Sequence, residues 1–270
     1  MTISIKNAAD IEGMRVAGRL ASGGAGHADA ARQARRHDRG SSTSSRTTTS
    51  STCRARVPAP LNYAPPGYTP YPKSICTSIN HQVCHGIPND RALKNGDIVN
   101  IDVTVIKDGW HGDTSRMFIV GEGSIAAKRL CQMTYEAMWK GIVKVKPGRA
   151  PGRHRPRDPD ASPRTTASRW CASSAATASA ARFHEEPQVL HYGRPGTLEE
   201  LVPGMMFTIE PMINAGKREI REIGDGWTIV TQRPLAVGAV GAHGARHRDR
   251  LRGDDAVGRQ PAAAGLRPAR

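Results

Sequence analysis

Two aspartates eleven residues apart are the strongest chemical signal in the chain. They lie in the stretch Asn100 to Thr114, Asn-Ile-Asp-Val-Thr-Val-Ile-Lys-Asp-Gly-Trp-His-Gly-Asp-Thr. Its first half alternates apolar and polar residues around β-branched side chains, the pattern of a half-buried strand. Lys107-Asp108-Gly109 supplies a hairpin turn, so Asp102 on the outgoing arm and Asp113 on the returning arm can share one face. Two close carboxylates repel unless a proton or a cation lies between them. The hairpin is therefore either a cradle for a divalent metal or an ordinary ribbon with two solvated acids. Three further residues favour the cradle. His85 ends a strand beside a Gly turn in Cys84-His85-Gly86-Ile87-Pro88, and His184 sits in Phe183-His184-Glu185-Glu186-Pro187. Glu210 closes the apolar run Phe207-Thr208-Ile209, which aims its end into a cleft. Each is weak alone; together they form an oxygen- and imidazole-rich set of the kind that binds two metals.

The elements that must carry these residues can be read from periodicity. Asn7 and Asp10 start a helix through Ala21, with Ile11, Met14, Val16, Ala17 and Leu20 at helical spacing. Pro58 to Pro72 is a loop rich in Pro, Tyr and Gly. Ser74 to His85 reads as a strand, and Val99–Val105 with Thr114–Val120 as the hairpin arms. Ser124 to Val143 is an amphipathic helix with Leu130, Met133, Ala137 and Ile142 on one side. Val189–Tyr192 and Met205–Ile209 are short strands, and Glu219–Ile223 with Gly226–Val230 a further pair.

The 270 residues suffice for one large domain or two small ones. No run of about 18 apolar residues occurs, which argues against a membrane span, and the first residues lack the apolar core of a signal peptide. Five Cys without paired spacing fit a reducing cytoplasm. The net charge of +15 would ordinarily point to nucleic acid, but it is confined to three segments. Ser22–Val57, Arg149–Arg182 and Arg233–Arg270 hold 22 Arg against 7 Asp, the whole excess, and the rest of the chain is neutral. These segments contain no Lys, Glu, Ile, Phe, Tyr, Asn or Met and no regular period. Such composition buries too little apolar area to offset ordering, so they are expected to be disordered or poorly packed.

The motifs resemble those of type I methionine aminopeptidases, metallohydrolases of the pita-bread fold that remove the initiator Met from new proteins. The likeness rests on Tyr71-Pro72-Lys73-Ser74, Cys84 to Pro88, the Asn100–Thr114 hairpin, Phe183 to Gln188 and Phe207 to Met212, within about 165 to 170 matching residues. It implies an α+β fold with a central antiparallel sheet flanked by helices, spanning residues 1–232. It also implies two divalent ions (cobalt, manganese, iron or zinc), with Asp102, Asp113 and Glu210 as ligands and Glu210 as general base. His184 would stabilise the oxyanion and His85 would contact the scissile amide. Tyr68, Tyr71, Cys76, Phe183 and Trp227 would line the pocket for the Met side chain. The implied partners are nascent polypeptide N-termini, with the ribosome nearby, no membrane and no specific nucleic acid, for a cytoplasmic monomer.

The chain also departs from the family, which has five metal ligands where this sequence supplies three. The expected His seven residues before His184 is Thr177, and the expected Glu on the C-terminal strand falls within Arg233–Arg270, which has none. Both losses lie in the basic segments. Residues 22–57 and 149–182 are expected to interrupt the domain, and 233–270 to replace its last strand, leaving sheet edges exposed and activity in doubt. Their Gly, Ala, Arg and Pro content is that of GC-rich DNA read out of frame. In that case a neighbouring frame restores the His and a Glu-His string. The other readings are a catalytically inactive relative and basic insertions that dock on RNA.

Overall fold

The computed structural model describes residues 3–23, 57–148, 169–170, 175–178, 183–190 and 200–245. Helix α1 is Ala8–Ser22. Its start is fixed by a capping box: the Asn7 side chain accepts from the Ala9 and Asp10 amides, and the Asp10 side chain accepts from the Asn7 amide. Ile11, Met14, Ala17 and Ala21 form its buried stripe. Helix α2 is Ile125–Ile142, capped by Ser124. Leu130, Thr134, Met138 and Ile142 are its buried face. That is one i, i+4 row beside the expected stripe, with Met133 and Ala137 only half-buried.

The strands are β1 (Val57–Pro58), β2 (Cys76–Ile79), β3 (Gln82–Cys84), β4 (Ile98–Lys107), β5 (Trp110–Ile119), β6 (Arg169–Trp170), β7 (Ala175–Ala178), β8 (Glu185–Leu190), β9 (Met206–Ile209), β10 (Met212–Asn214), β11 (Ile220–Glu222), β12 (Ile229–Thr231), β13 (Val237–Ala239) and β14 (Gly241–Ala245). The largest sheet is antiparallel in the order β1-β4-β5-β14-β9, with β2 also on β4. Smaller ribbons pair β13-β10-β6, β11-β12-β3 and β7-β8.

The β4–β5 hairpin turns through Asp108 (φ 51°) and Gly109 (φ 85°), both left-handed as a type I′ turn demands. Helix α1 lies on this hairpin so closely that a Cβ on Gly112 would stand 2.1 Å from the Ala17 carbonyl. Apolar side chains of the hairpin fill the core beside it: Val99, Ile101, Val103 and Val105 with Ala21, Ile79 and Leu93. On the far side, α2 closes over β9 through Met138, Ile142, Phe207, Ile209 and Val240.

Two expectations need correction. Ser74–His85 is not one strand: Asn80 takes a left-handed φ of 52° and splits it into β2 and β3. The C-terminal strand is not lost either. Gly241–Ala245 pairs with both β5 and β9, and Ala175–Ala178 pairs with β8. Ladder bonds are made by main chain, so Gly- and Ala-rich sequence can complete a sheet whose neighbours are already in place. Residues 24–56, 149–168, 171–174, 179–182 and 246–270 of the three basic segments lie outside the described residues.

Candidate metal centre

Register places the acids. Asp102 pairs with Ser115, Ser115 with Gly241, and Ala242 with Ile209. The antiparallel step therefore sets Gly241 opposite Glu210, and Asp102, Ser115, Gly241 and Glu210 form one row across β4, β5, β14 and the end of β9. A Cβ on Gly241 would meet Glu210 Cγ at 2.9 Å and Ser115 Oγ at 3.1 Å, so the row faces one way. Asp113 lies two residues before Ser115 on the same face, diagonal to Asp102 at about 7–8 Å between backbones. The Glu210 side chain leans over Gly241 toward Ser115, so the carboxylates crowd the middle of the row.

The electrostatics follow from that crowding. Burial pushes Asp102 up to about 7, with the Glu210 charge adding to it and the Val103 amide and His85 opposing it. Glu210 rises to about 8, through burial and the Asp113 charge, against a hydrogen bond from Thr208. Asp113 is raised as well, by burial and by Asp102, despite the Thr104 hydroxyl. Asp102 and Asp113 share a hydrogen bond that needs one proton between them. Asp102 Oδ1 is nonetheless buried without a hydrogen-bond partner. A buried carboxylate oxygen beside two more acids is a place where a cation could be held.

The rim is imidazole and aromatic. His85 holds a left-handed φ of 56°, uncommon for a residue with a side chain. Gly86 lets the turn pass under β2, where a Cβ would sit 2.2 Å from the Thr77 carbonyl. Burial lowers the His85 pKa while Asp102, Glu210 and Asp113 raise it, and its edge stays open to solvent. His184 is lowered too, by burial and then by His85 and His111, although it also keeps an exposed edge. Both rings thus line an open cleft in neutral form at physiological pH.

The aromatic residues divide. Tyr71, Cys76 and Trp227 form one buried cluster with Tyr63 and Ile87 against it. Tyr71 is only 2% exposed, and its hydroxyl lies 3.0 Å from the Gly86 carbonyl, bracing the His85 turn more than lining a pocket. Trp227 donates to the Thr69 carbonyl at 2.9 Å. Tyr68 is 47% exposed, with its ring 5.1 Å from that of Trp227 at the mouth. Phe183 meets Tyr63 edge-on at 4.6 Å and stacks on His111 at 5.6 Å.

Tyr63, Thr104 and Thr208 escaped the sequence reading. The two threonines were within reach of it: a turn at Asp108-Gly109 puts Thr104 opposite Asp113, and Thr208 is two residues before Glu210. Tyr63 was hidden by an excursion of the chain. Asn62 and Tyr63 pair back onto Tyr71 through backbone bonds of 2.8 and 2.9 Å, so residues 64–70 bulge out and Tyr68 goes with them. Glu185, beside His184, is taken up by Lys6 in an ion pair of 2.8 Å. Thr177 pairs with Gln188 in β7–β8. Among the described residues, no three His, Cys, Asp or Glu side chains close into a ready metal cage.

An antiparallel sheet flanked by helices, with acids on its floor and imidazoles at its rim, defines the pita-bread class of metallohydrolase scaffold. The chain belongs to metallopeptidase family M24, whose profile matches residues 12–251. It is 53% identical over 170 residues to a methionine aminopeptidase of Escherichia coli K12, covering 62% of this chain and 63% of that protein. The chain thus spans less than two thirds of that relative's length. A Salmonella typhimurium methionine aminopeptidase is 45% identical over 238 residues, 86% of both chains. The solved methionine aminopeptidase of Rickettsia prowazekii superposes with a TM-score of 0.78 at 41% identity, covering 92% of this chain and 97% of that one. A Pyrococcus horikoshii prolidase, 15% identical with a TM-score of 0.54, shares the fold.

Proposed function

We propose that the chain carries the scaffold of a methionine aminopeptidase whose metal centre, as written, holds one divalent ion weakly rather than two. The observation that carries this is Asp102 Oδ1, buried and unpartnered beside Asp113 and Glu210, all three carboxyls being pushed up by burial. Asp102, Asp113 and Glu210 would hold the ion, and a bound ion lowers the pKa of its water to roughly 7. Glu210 would take the proton of that water. His184 would donate to the carbonyl oxygen of the first peptide bond, and His85 would face the scissile amide. Cys76 and Trp227, with Phe183 and Tyr63, offer an apolar wall to a Met side chain, worth roughly 1.5–3 kcal/mol on burial. Nascent N-termini are the substrates this reading implies, in the cytoplasm and as a monomer. No helix among the described residues is long and apolar enough to cross a membrane.

The second reading, a damaged copy of such an enzyme, is favoured by Gly241. It is the position in the row that faces the acids and offers no donor. Gly241-Ala242-His243 is encoded GGN GCN CAY, which one base further on reads GNG CNC, or Glu-His when both N are A. Ala176-Thr177, GCN ACN, read from the third base gives NAC, which is His when N is C. The shifted frames are thus compatible with both absent ligands, at Thr177 and at the gap in the row, and the DNA sequence decides.

Release of Met from a Met-Ala-Ser peptide with added manganese or cobalt, beside the metal content of the dialysed protein, tests both readings. At most one ion per chain and little turnover are expected. Two tightly held ions would overturn the one-ion reading, and no metal binding at all would remove the metallopeptidase one.

A further inference from the structure

We propose that Tyr63 is a positioning residue that sets the tautomer of His184, donating its hydroxyl to Nδ1 so that the single ring proton sits on Nε2. The inference rests on the role given above to His184 and adds what makes that role possible. Tyr63 Oη and His184 Nδ1 lie 2.5 Å apart. The two rings are 5.3 Å apart and tilted by 52°, and Phe183, which stacks on the imidazole at 4.6 Å and 18°, also meets Tyr63 at 4.6 Å, so the three rings form a triangle. The imidazole is thus held at its Nδ1 edge by the phenol hydroxyl and on one face by the Phe183 ring.

A neutral imidazole has one N–H and one bare nitrogen. If Nδ1 carried the proton, it would donate to a phenol oxygen whose lone pair is delocalised into the ring, while the phenol proton pointed elsewhere. If Nδ1 is bare, a good donor meets a good acceptor. Among the described residues Tyr63 Oη has no other partner, so none of them competes for its proton. Nε2 then holds the N–H and faces no acceptor among the described residues, free to donate to a carbonyl oxygen on which negative charge builds. Without the phenol the two tautomers differ little, and part of the population would present a bare nitrogen to that oxygen.

The test uses the full chain labelled with 15N-histidine, without metal, near pH 7.5. Long-range proton–nitrogen spectra are recorded for the wild type and Tyr63→Phe, with His184→Gln to assign the signals. The wild type should show a pyridine-type Nδ1 and a pyrrole-type Nε2 at His184. In Tyr63→Phe, which keeps the ring packed on Phe183, the two shifts should move toward each other. The His184 pKa should also rise, by up to about one unit, since a bond to the neutral form is lost. A pyrrole-type Nδ1 in the wild type, or a pattern unchanged by the substitution, would overturn the proposal; the wild-type spectrum decides even if the variant folds poorly. The outcome is independent of metal and peptide: failure of Met release with the tautomer intact would remove the activity alone.

Discussion

Holding three acids on one face has a measurable cost that depends on pH. Asp102 moves from 3.8 to about 7 on folding and Glu210 from 4.5 to about 8. Between pH 4 and pH 8 the folded chain therefore binds more protons than the unfolded chain, and its stability must fall as pH rises. The Asp102 shift alone, at about 1.4 kcal/mol per unit, is an upper bound of about 4 kcal/mol. Because Asp102 as a residue is only half-buried, half of that is the better figure, about 2 kcal/mol, or roughly 4–8 °C in Tm for a domain of this size. In a chelator, the apparent Tm should drop by that much from pH 5 to pH 8. Asp102→Asn should reduce the drop without abolishing it, since Glu210 is shifted as far, and excess manganese should reverse it, because the ion replaces the protons. A Tm that is flat or rises over this range in the chelator would refute the shared-proton picture of the floor.

Three further outcomes follow from the same geometry. Gly241→Glu should raise bound manganese from at most one ion to two per chain by elemental analysis, with Glu210 swinging aside to make room; an unchanged count would show that the row is not where the second ion belongs. Lys6→Met should destabilise by about 2 kcal/mol in urea unfolding, since it removes the 2.8 Å ion pair from a Glu185 side chain only 11% exposed. A double variant that also carries Glu185→Leu should recover most of that loss. Gly86→Ala forces a Cβ within 2.2 Å of the Thr77 carbonyl and should lower stability by at least about 2 kcal/mol while moving the His85 ring signals; a neutral change would mean the turn has slack.

The hairpin was legible because its signals are local: β-branched alternation, an Asp-Gly turn and a fixed count of residues between Asp102 and Asp113. The capping residues Asn7 and Ser124 were legible for the same reason. What could not be read depends on non-local pairing. Nothing in Gly241–Ala245 announces a strand, because β5 and β9 impose it from outside. The split of Ser74–His85 turned on one left-handed residue, Asn80, within an otherwise strand-like run. Tyr68 was named from the resemblance alone, whereas the Pro65-Pro66-Gly67 turn takes the backbone out and returns it, so that Tyr63 is the tyrosine beside His184. The acids, by contrast, belong to elements whose faces were readable, and Glu210 joined them through a strand end.

Strand β14 has a further consequence for how such a protein decays over generations. Its place in the sheet is secured by amide-to-carbonyl bonds that every residue except proline can make, so the scaffold is nearly indifferent to which side chains it carries. Catalysis has no such tolerance, since it depends on single oxygens and nitrogens at fixed positions. A lineage can therefore exhaust its chemistry while its shape persists, and kinship read from shape outlives the trade it once signified.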